Sequence, residues 1–368
     1  MAFIRYAALI GGLTLLVACQ KPEPIRIGFV GGLSGRVADL GVAGRNGVQL
    51  ALEQRNAAGG INGRSVELVV RDDGQNPETA KRVVAELISQ KIELIIGPMT
   101  SSMAMAVVPQ VNASQSILLS PTVTTTDLGG KDDNFLRVMS VTTDYASKSA
   151  GYQYKKLGIR TVAALYDISN NSYSESWLKD FRTAFEKLGG RIILVKNFSS
   201  GKDTVFQPLV RELLAAKADS VVIISNAVDS ALICQQVHKH APGQRIAMSE
   251  WASTERFTEL AGDAAEGVIV SQFLDRNDTS QRYRNFLTAY RARFNHEPGF
   301  AGVAGYDAAL AALDAYTTRT QGESLKQVII AKKSFQGVQQ PLNIDRFGDA
   351  DRKTFVTEIR GNQYITVE

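Results

Sequence analysis

Few residues of this 368-residue chain have types and spacings suited to covalent chemistry. Its three histidines are His238, His240 and His296. His238 and His240 are two apart, so on a helix they face different ways and form no metal pair. No Cys/His cluster supplies ligands for one either. The chain contains no Gly-x-Ser-x-Gly nucleophile elbow. Gly28 to Gly35 departs from the dinucleotide fingerprint, and no phosphate-loop Gly-Lys-Ser/Thr is present. What recurs is hydrogen-bonding capacity grouped in short segments. These are Gly31-Gly32-Leu33-Ser34-Gly35, Gly97-Pro98-Met99-Thr100-Ser101-Ser102, Ser120 to Thr126, and Asp167 to Tyr173. Hydroxyls and backbone N–H groups hold a polar solute without transforming it. The expectation is a binding protein with no enzyme activity, no cofactor and no metal.

The elements that position these segments alternate regularly. Strand patterns at Ile25–Val30, Val66–Val70, Leu94–Ile96 and Ile117–Leu119 are separated by helical patterns. The helices run over Gly41–Asn56, from Asn76-Pro77-Glu78 onward, and over about Ser102–Ser114. Asn76 is a capping residue, Pro77 suits a first turn and Glu78 complements the helix dipole. A second series begins after Val141–Asp144, with strands at Thr161–Tyr166, Ile192–Val195, Val221–Ser225 and Val268–Val270. Trp177, Phe181, Ala184, Phe185 and Leu188 line one face of a helix between the first two. Further helices at Val228–His240, Gln281–Phe294 and Tyr306–Arg319 precede short terminal strands. The fold class is therefore α/β, with parallel sheets covered on both faces. In such sheets ligands sit beyond the carboxyl ends of the strands, where the four polar segments fall.

Composition is that of an ordinary globular protein, 44% apolar and 21% charged, and the length suits two domains. A net charge of +4 with no dense basic run excludes a nucleic-acid footprint. Arg5 followed by the apolar run Ala7–Ala18 forms a segment too short to span a bilayer, ending in Leu16-Val17-Ala18-Cys19. It resembles the lipobox of bacterial lipoproteins. That resemblance implies a signal peptide over residues 1–18, acylation of Cys19 and a tether over 19–24. The other cysteine, Cys234, sits in a helical apolar pattern and reads as a buried, inert thiol.

The remainder, from about Ile25 to the end, resembles the type I periplasmic binding proteins of the branched-chain amino acid transport family. The resemblance is carried by Gly28-Phe29-Val30-Gly31-Gly32-Leu33-Ser34-Gly35, Asn56-Ala57-Ala58-Gly59-Gly60-Ile61-Asn62-Gly63, Asp72-Asp73-Gly74-Gln75-Asn76-Pro77, Ile96-Gly97-Pro98 with Thr100-Ser101-Ser102, and Tyr306-Asp307-Ala308-Ala309. It implies two Rossmann-like doubly wound lobes joined by three crossover segments. The lobes would comprise residues 25–139 plus 274–348 and residues 140–273 plus 349–368. It also implies a monomeric periplasmic protein that passes an amino acid or related solute to an ABC permease in the inner membrane. A ligand sensor acting on a kinase, receptor or envelope enzyme would use the same clamp.

Residue by residue, the resemblance assigns Ser101 and Thr124 to the ligand carboxylate, with Ser102 beside them, and the backbone at Thr122 to the amine. Tyr173 becomes an aromatic wall and Glu250 the partner of the ligand ammonium. The chemistry agrees: a carboxylate needs donors, and an ammonium enclosed away from water needs an anion. Leu40 and Asn226 stand where branched-chain binders carry aromatic residues, which implies a larger or more polar pocket.

Overall fold

The computed structural model describes residues 22–368; the signal segment and Cys19 lie outside the described residues. The first series comprises β1 (Ile25–Gly31), α1 (Ala38–Ala57), β2 (Val66–Asp72), α2 (Pro77–Ser89), β3 (Leu94–Ile96), α3 (Ser101–Asn112), β4 (Ile117–Ser120) and β5 (Phe135–Arg137). These strands form an all-parallel sheet in the order β2-β1-β3-β4-β5. Leu94, Ile95 and Ile96 are completely buried, because helices cover both faces of the sheet. Asn76 caps α2 by accepting from the Thr79 backbone N–H at 3.0 Å.

The chain then crosses to a second layer: α4 (Thr142–Lys155), β6 (Thr161–Asp167), α5 (Asn171–Lys187), β7 (Arg191–Phe198), α6 (Gln207–Ala215), β8 (Ser220–Ile224), α7 (Ala227–His240), β9 (Arg245–Met248), α8 (Glu255–Ala261) and β10 (Ile269–Gln272). It returns through α9 (Gln281–Phe294), α10 (Gly299–Thr318) and α11 (Leu325–Lys332) to a small antiparallel sheet, β11 (Ser334–Gln336), β12 (Pro341–Ile344) and β13 (Ala350–Asp351). A third crossing delivers β14 (Phe355–Arg360) and β15 (Gln363–Thr366), which add antiparallel to β10. The second sheet runs β15-β14-β10-β9-β8-β6-β7.

Buried ion pairs pin the crossings. Arg352 reaches Asp307 on α10 at 2.7 Å with both side chains fully buried, and Arg137 reaches Asp349 at 2.6 Å. In the first lobe α10 lies against α1 backbone to backbone. A Cβ on Gly47 would meet the Gly302 carbonyl oxygen at 2.1 Å, so glycine there is a packing requirement. In the second lobe Trp177, Phe181 and Phe185 stack along α5 with centroids 5.3 Å apart at each step.

Both sheets change winding direction beside their first strand, between β1 and β3 and between β6 and β8. The crevices outside the strand ends at these points face each other. Among the described residues no helix is long and apolar enough to cross a membrane.

Candidate ligand-binding site

A small enclosed cavity lies where the two crevices meet. It is lined by Leu40, Met99, Thr100, Ser101, Thr122, Thr124, Met139, Asn170, Tyr173, Glu250, Trp251 and Phe300. Only about 20 Å³ of it is open to the centre of a water molecule. Each polar lining residue follows the carboxyl end of a strand: Thr100 and Ser101 after β3, Thr122 and Thr124 after β4, Asn170 and Tyr173 after β6, Glu250 after β9.

Local bonding fixes the first-lobe side. Gly97 has φ +117°, and a Cβ there would meet the Val30 carbonyl oxygen at 2.0 Å, so only glycine lets this turn pack on β1. The Thr122 hydroxyl donates to the Met99 carbonyl at 2.5 Å, tying one cavity loop to the other. The Ser101 hydroxyl accepts the Thr125 backbone N–H at 3.4 Å, and its own proton stays free to donate. The Ser101 backbone opens α3, so its N–H, which has no partner within the helix, lies beside the cavity.

The second-lobe side is aromatic and acidic. Tyr173 and Trp251 meet edge to face with centroids 5.5 Å apart. Glu250 is buried, and its Oε2 accepts the Trp177 indole N–H at 2.9 Å. Burial pushes the Glu250 carboxyl up to about 7, a rise that the Trp177 indole N–H offsets in part. Desolvation, followed by the Glu250 charge, holds the Tyr173 phenol well above its ordinary value. Three buried polar atoms on the wall have no hydrogen-bond partner: Thr124 Oγ1, Tyr173 OH and Glu250 Oε1. Leaving such groups unmade costs roughly 1–3 kcal/mol each, so the cavity is built to be completed by a polar molecule.

The structure brings Leu40, Ser101, Thr122, Thr124, Tyr173 and Glu250 together around this cavity. It places the remaining two expected residues elsewhere. Ser102 joins the lobes, its N–H donating to Asn170 Oδ1 at 3.0 Å and its hydroxyl accepting the Ser172 N–H at 3.2 Å. Asn226 caps α7 and donates from Nδ2 to Asp229 at 2.7 Å. Most of the rest of the cavity wall is apolar. Asn226 turns away from it, and Phe300, from the first turn of α10, fills the space with Met99 and Met139. Sequence reading did not find Phe300, Met139 or Asn170 as lining residues, nor Trp177 as the residue that holds Glu250. Apolar lining residues carry no signal separate from core packing. Asn170 was within reach, because it lies inside the polar segment before Tyr173.

Among the described residues no group of three or more His, Cys, Asp or Glu side chains could hold a metal. Cys234 is a buried free thiol, its pKa raised by desolvation.

Two doubly wound layers, linked by three crossings and enclosing an incompletely bonded polar pocket, define a solute-binding clamp. The chain belongs to the periplasmic binding protein family, whose profile matches residues 24–363. It is 22% identical over 346 residues to the leucine-, isoleucine-, valine-, threonine- and alanine-binding protein of Pseudomonas aeruginosa, covering 94% of this chain and 84% of that one. The leucine-binding protein LivK of Thermotoga maritima superimposes with a TM-score of 0.86 at 23% identity, over 94% of this chain and 98% of that one. LivJ of Streptococcus pneumoniae, solved with isoleucine, gives 0.86 at 25% identity, over 94% and 99% of the two chains. These relatives are binding proteins, and this chain is a binding protein and not an enzyme.

Proposed function

We propose that this protein captures an α-amino acid between its lobes and presents it to an ABC permease. The observation that carries this reading is the convergence of Thr124 Oγ1, Tyr173 OH and Glu250 Oε1, all buried and unpaired, on one cavity. Ser101, through its hydroxyl and backbone N–H, and Thr124 hold the carboxylate. Glu250 pairs with the ammonium, and Tyr173 and Trp251 close over the backbone of the ligand. Leu40, Met99, Met139 and Phe300 receive the side chain. Ser102 serves the meeting of the lobes and Asn226 the cap of α7, and both leave contact with the ligand to the others. The small cavity favours a short aliphatic side chain, and alanine and threonine stand among the ligands named for the Pseudomonas relative.

The delivery role is supported by the resemblance to transporter binding proteins. Acylation of Cys19 roots a monomeric protein in a membrane of the envelope and leaves its body in the periplasm. The lipobox-like Leu16-Val17-Ala18-Cys19 supports that anchor, and labelled palmitate incorporated by the wild type and lost in Cys19→Ser tests it.

The ligand reading is tested by calorimetry with glycine, L-alanine, L-serine, L-threonine, L-valine, L-leucine and their deaminated acids. Micromolar binding, about −8 kcal/mol, is expected for at least one amino acid and for none of the acids. Binding of a deaminated acid as tight as that of its amino acid would remove the role given to Glu250.

A further inference from the structure

The cavity wall is not the whole of the interlobe contact. Arg36 lies in the Gly35–Val37 turn that follows β1, and its Nη1 meets Asp229 Oδ1 on α7 at 2.5 Å. The Asp229 side chain is completely buried and the Arg36 side chain is 24% exposed. Asp229 also accepts from the Ser200 hydroxyl and from Asn226 Nδ2, and its backbone N–H donates to Asn226 Oδ1 at 3.0 Å. The acceptor is thus held entirely by second-lobe residues, while the cation arrives from the first lobe.

Other bonds between the lobes, Thr254 to the Asp39 carboxylate, Ser102 to Asn170 and Ser172, and Thr126 to Ser176, are donated by a hydroxyl or a backbone N–H and involve no cationic side chain. Every other ion pair among the described residues lies within one lobe or at a crossing. Neither Arg36 nor Asp229 lines the cavity. Leu40, which does, sits four residues after Arg36, so engaging Arg36 seats the start of α1 and with it that wall.

We infer that Arg36 is a positioning residue for retention: its ion pair with Asp229 latches the closed clamp and sets how slowly an enclosed solute leaves. This rests on the reading of the cavity as a solute site. Asp229 keeps its Ser200 and Asn226 donors when the lobes part, so opening forfeits one charge-assisted bond and exposes no unsatisfied carboxylate. The pair forms only when the lobes have come together. Removing it therefore changes the dissociation rate and leaves the encounter rate alone.

Both tryptophans, Trp177 and Trp251, stand at the site, and their fluorescence reports on it without a label. Stopped-flow fluorescence on the full chain with L-alanine and L-threonine as probes compares wild type, Arg36→Met, Arg36→Lys, Asp229→Asn and the Arg36→Met/Asp229→Asn pair. Losing the charge-assisted bond should raise the dissociation rate about tenfold in Arg36→Met and Asp229→Asn, with the association rate within about twofold. The double variant should be no worse than either single one, and Arg36→Lys should recover part of the loss.

An unchanged dissociation rate in Arg36→Met, or additive losses in the double variant, would overturn the latch. If no amino acid binds the wild type, the reading of the ligand has failed. The latch, defined by the escape of that ligand, then falls with it.

Discussion

Replacing Glu250 by glutamine should strengthen the ligand-free protein while disabling it. The carboxyl has an ordinary value of 4.5 and is pushed to about 7 in the fold by burial. Below pH 4.5 the acid is protonated whether folded or not, and its burial carries no charge penalty. Between 4.5 and about 7 the unfolded chain ionises while the native site keeps its proton, so stability falls as pH rises. Above about 7 the full penalty is present; at 1.36 kcal/mol per pKa unit it is about 3 kcal/mol. Glutamine keeps an oxygen for the Trp177 indole and carries no charge. The groups that face the carboxylate are Thr124, Tyr173, Trp177 and Tyr145, and the phenol of Tyr145 is itself held neutral by burial.

Urea denaturation at pH 5 and pH 8 measures this. Asp73, raised to about 6 by its own burial, adds a slope of the same sign, but it is common to both proteins and cancels in the difference. Glu250→Gln should equal wild type within about 1 kcal/mol near pH 5 and exceed it by about 3 kcal/mol at pH 8. Ligand binding runs the other way, because an ammonium beside Glu250 selects the ionised form. Amino-acid affinity of the wild type should then weaken by up to about a hundredfold from pH 8 to pH 5 and release a proton on binding below pH 7. Parallel stability curves for the two proteins, or binding without proton release at pH 6, would refute the reasoning.

Other consequences follow from the same geometry. Thr124→Val removes a buried hydroxyl that has no partner, so the ligand-free protein should gain about 1 kcal/mol by thermal denaturation while amino-acid Kd rises about tenfold. Phe300→Ala should cost roughly 3 kcal/mol and move the calorimetric preference from short to longer side chains, because the lost ring borders the cavity. Asn226→Ala should lose about 1 kcal/mol with the α7 cap and leave the ranking of amino acids unchanged, since its side chain does not line the cavity.

The alternation of strands and helices was legible because buried parallel strands carry no polar face, as in Leu94-Ile95-Ile96. Caps such as Asn76 mark helix starts through bonds only a few residues long. Helices α4 and α6, and strands β5 and β9, were harder. Their sequences mix small and polar residues, and tertiary packing supplies what local pattern does not. Of the site, the hydroxyls after β3 and β4 and the acid after β9 could be placed because polar residues at strand ends have few structural alternatives. Asn226 shows the converse: an asparagine before a helix serves equally as a ligand group or a cap, and only coordinates separate the two. Phe300 enters from α10, some 200 residues beyond Thr100, and its apolar character hides it among core residues.

The three crossings between the layers also govern the order in which this chain can be assembled. The first sheet is written by residue 137, yet α10, which packs on α1 with backbone contact, begins at Gly299. The second sheet waits for β14 and β15, within the last 14 residues, to cover the edge at β10. A polypeptide emerging amino end first therefore completes neither half until its carboxyl-terminal segments arrive.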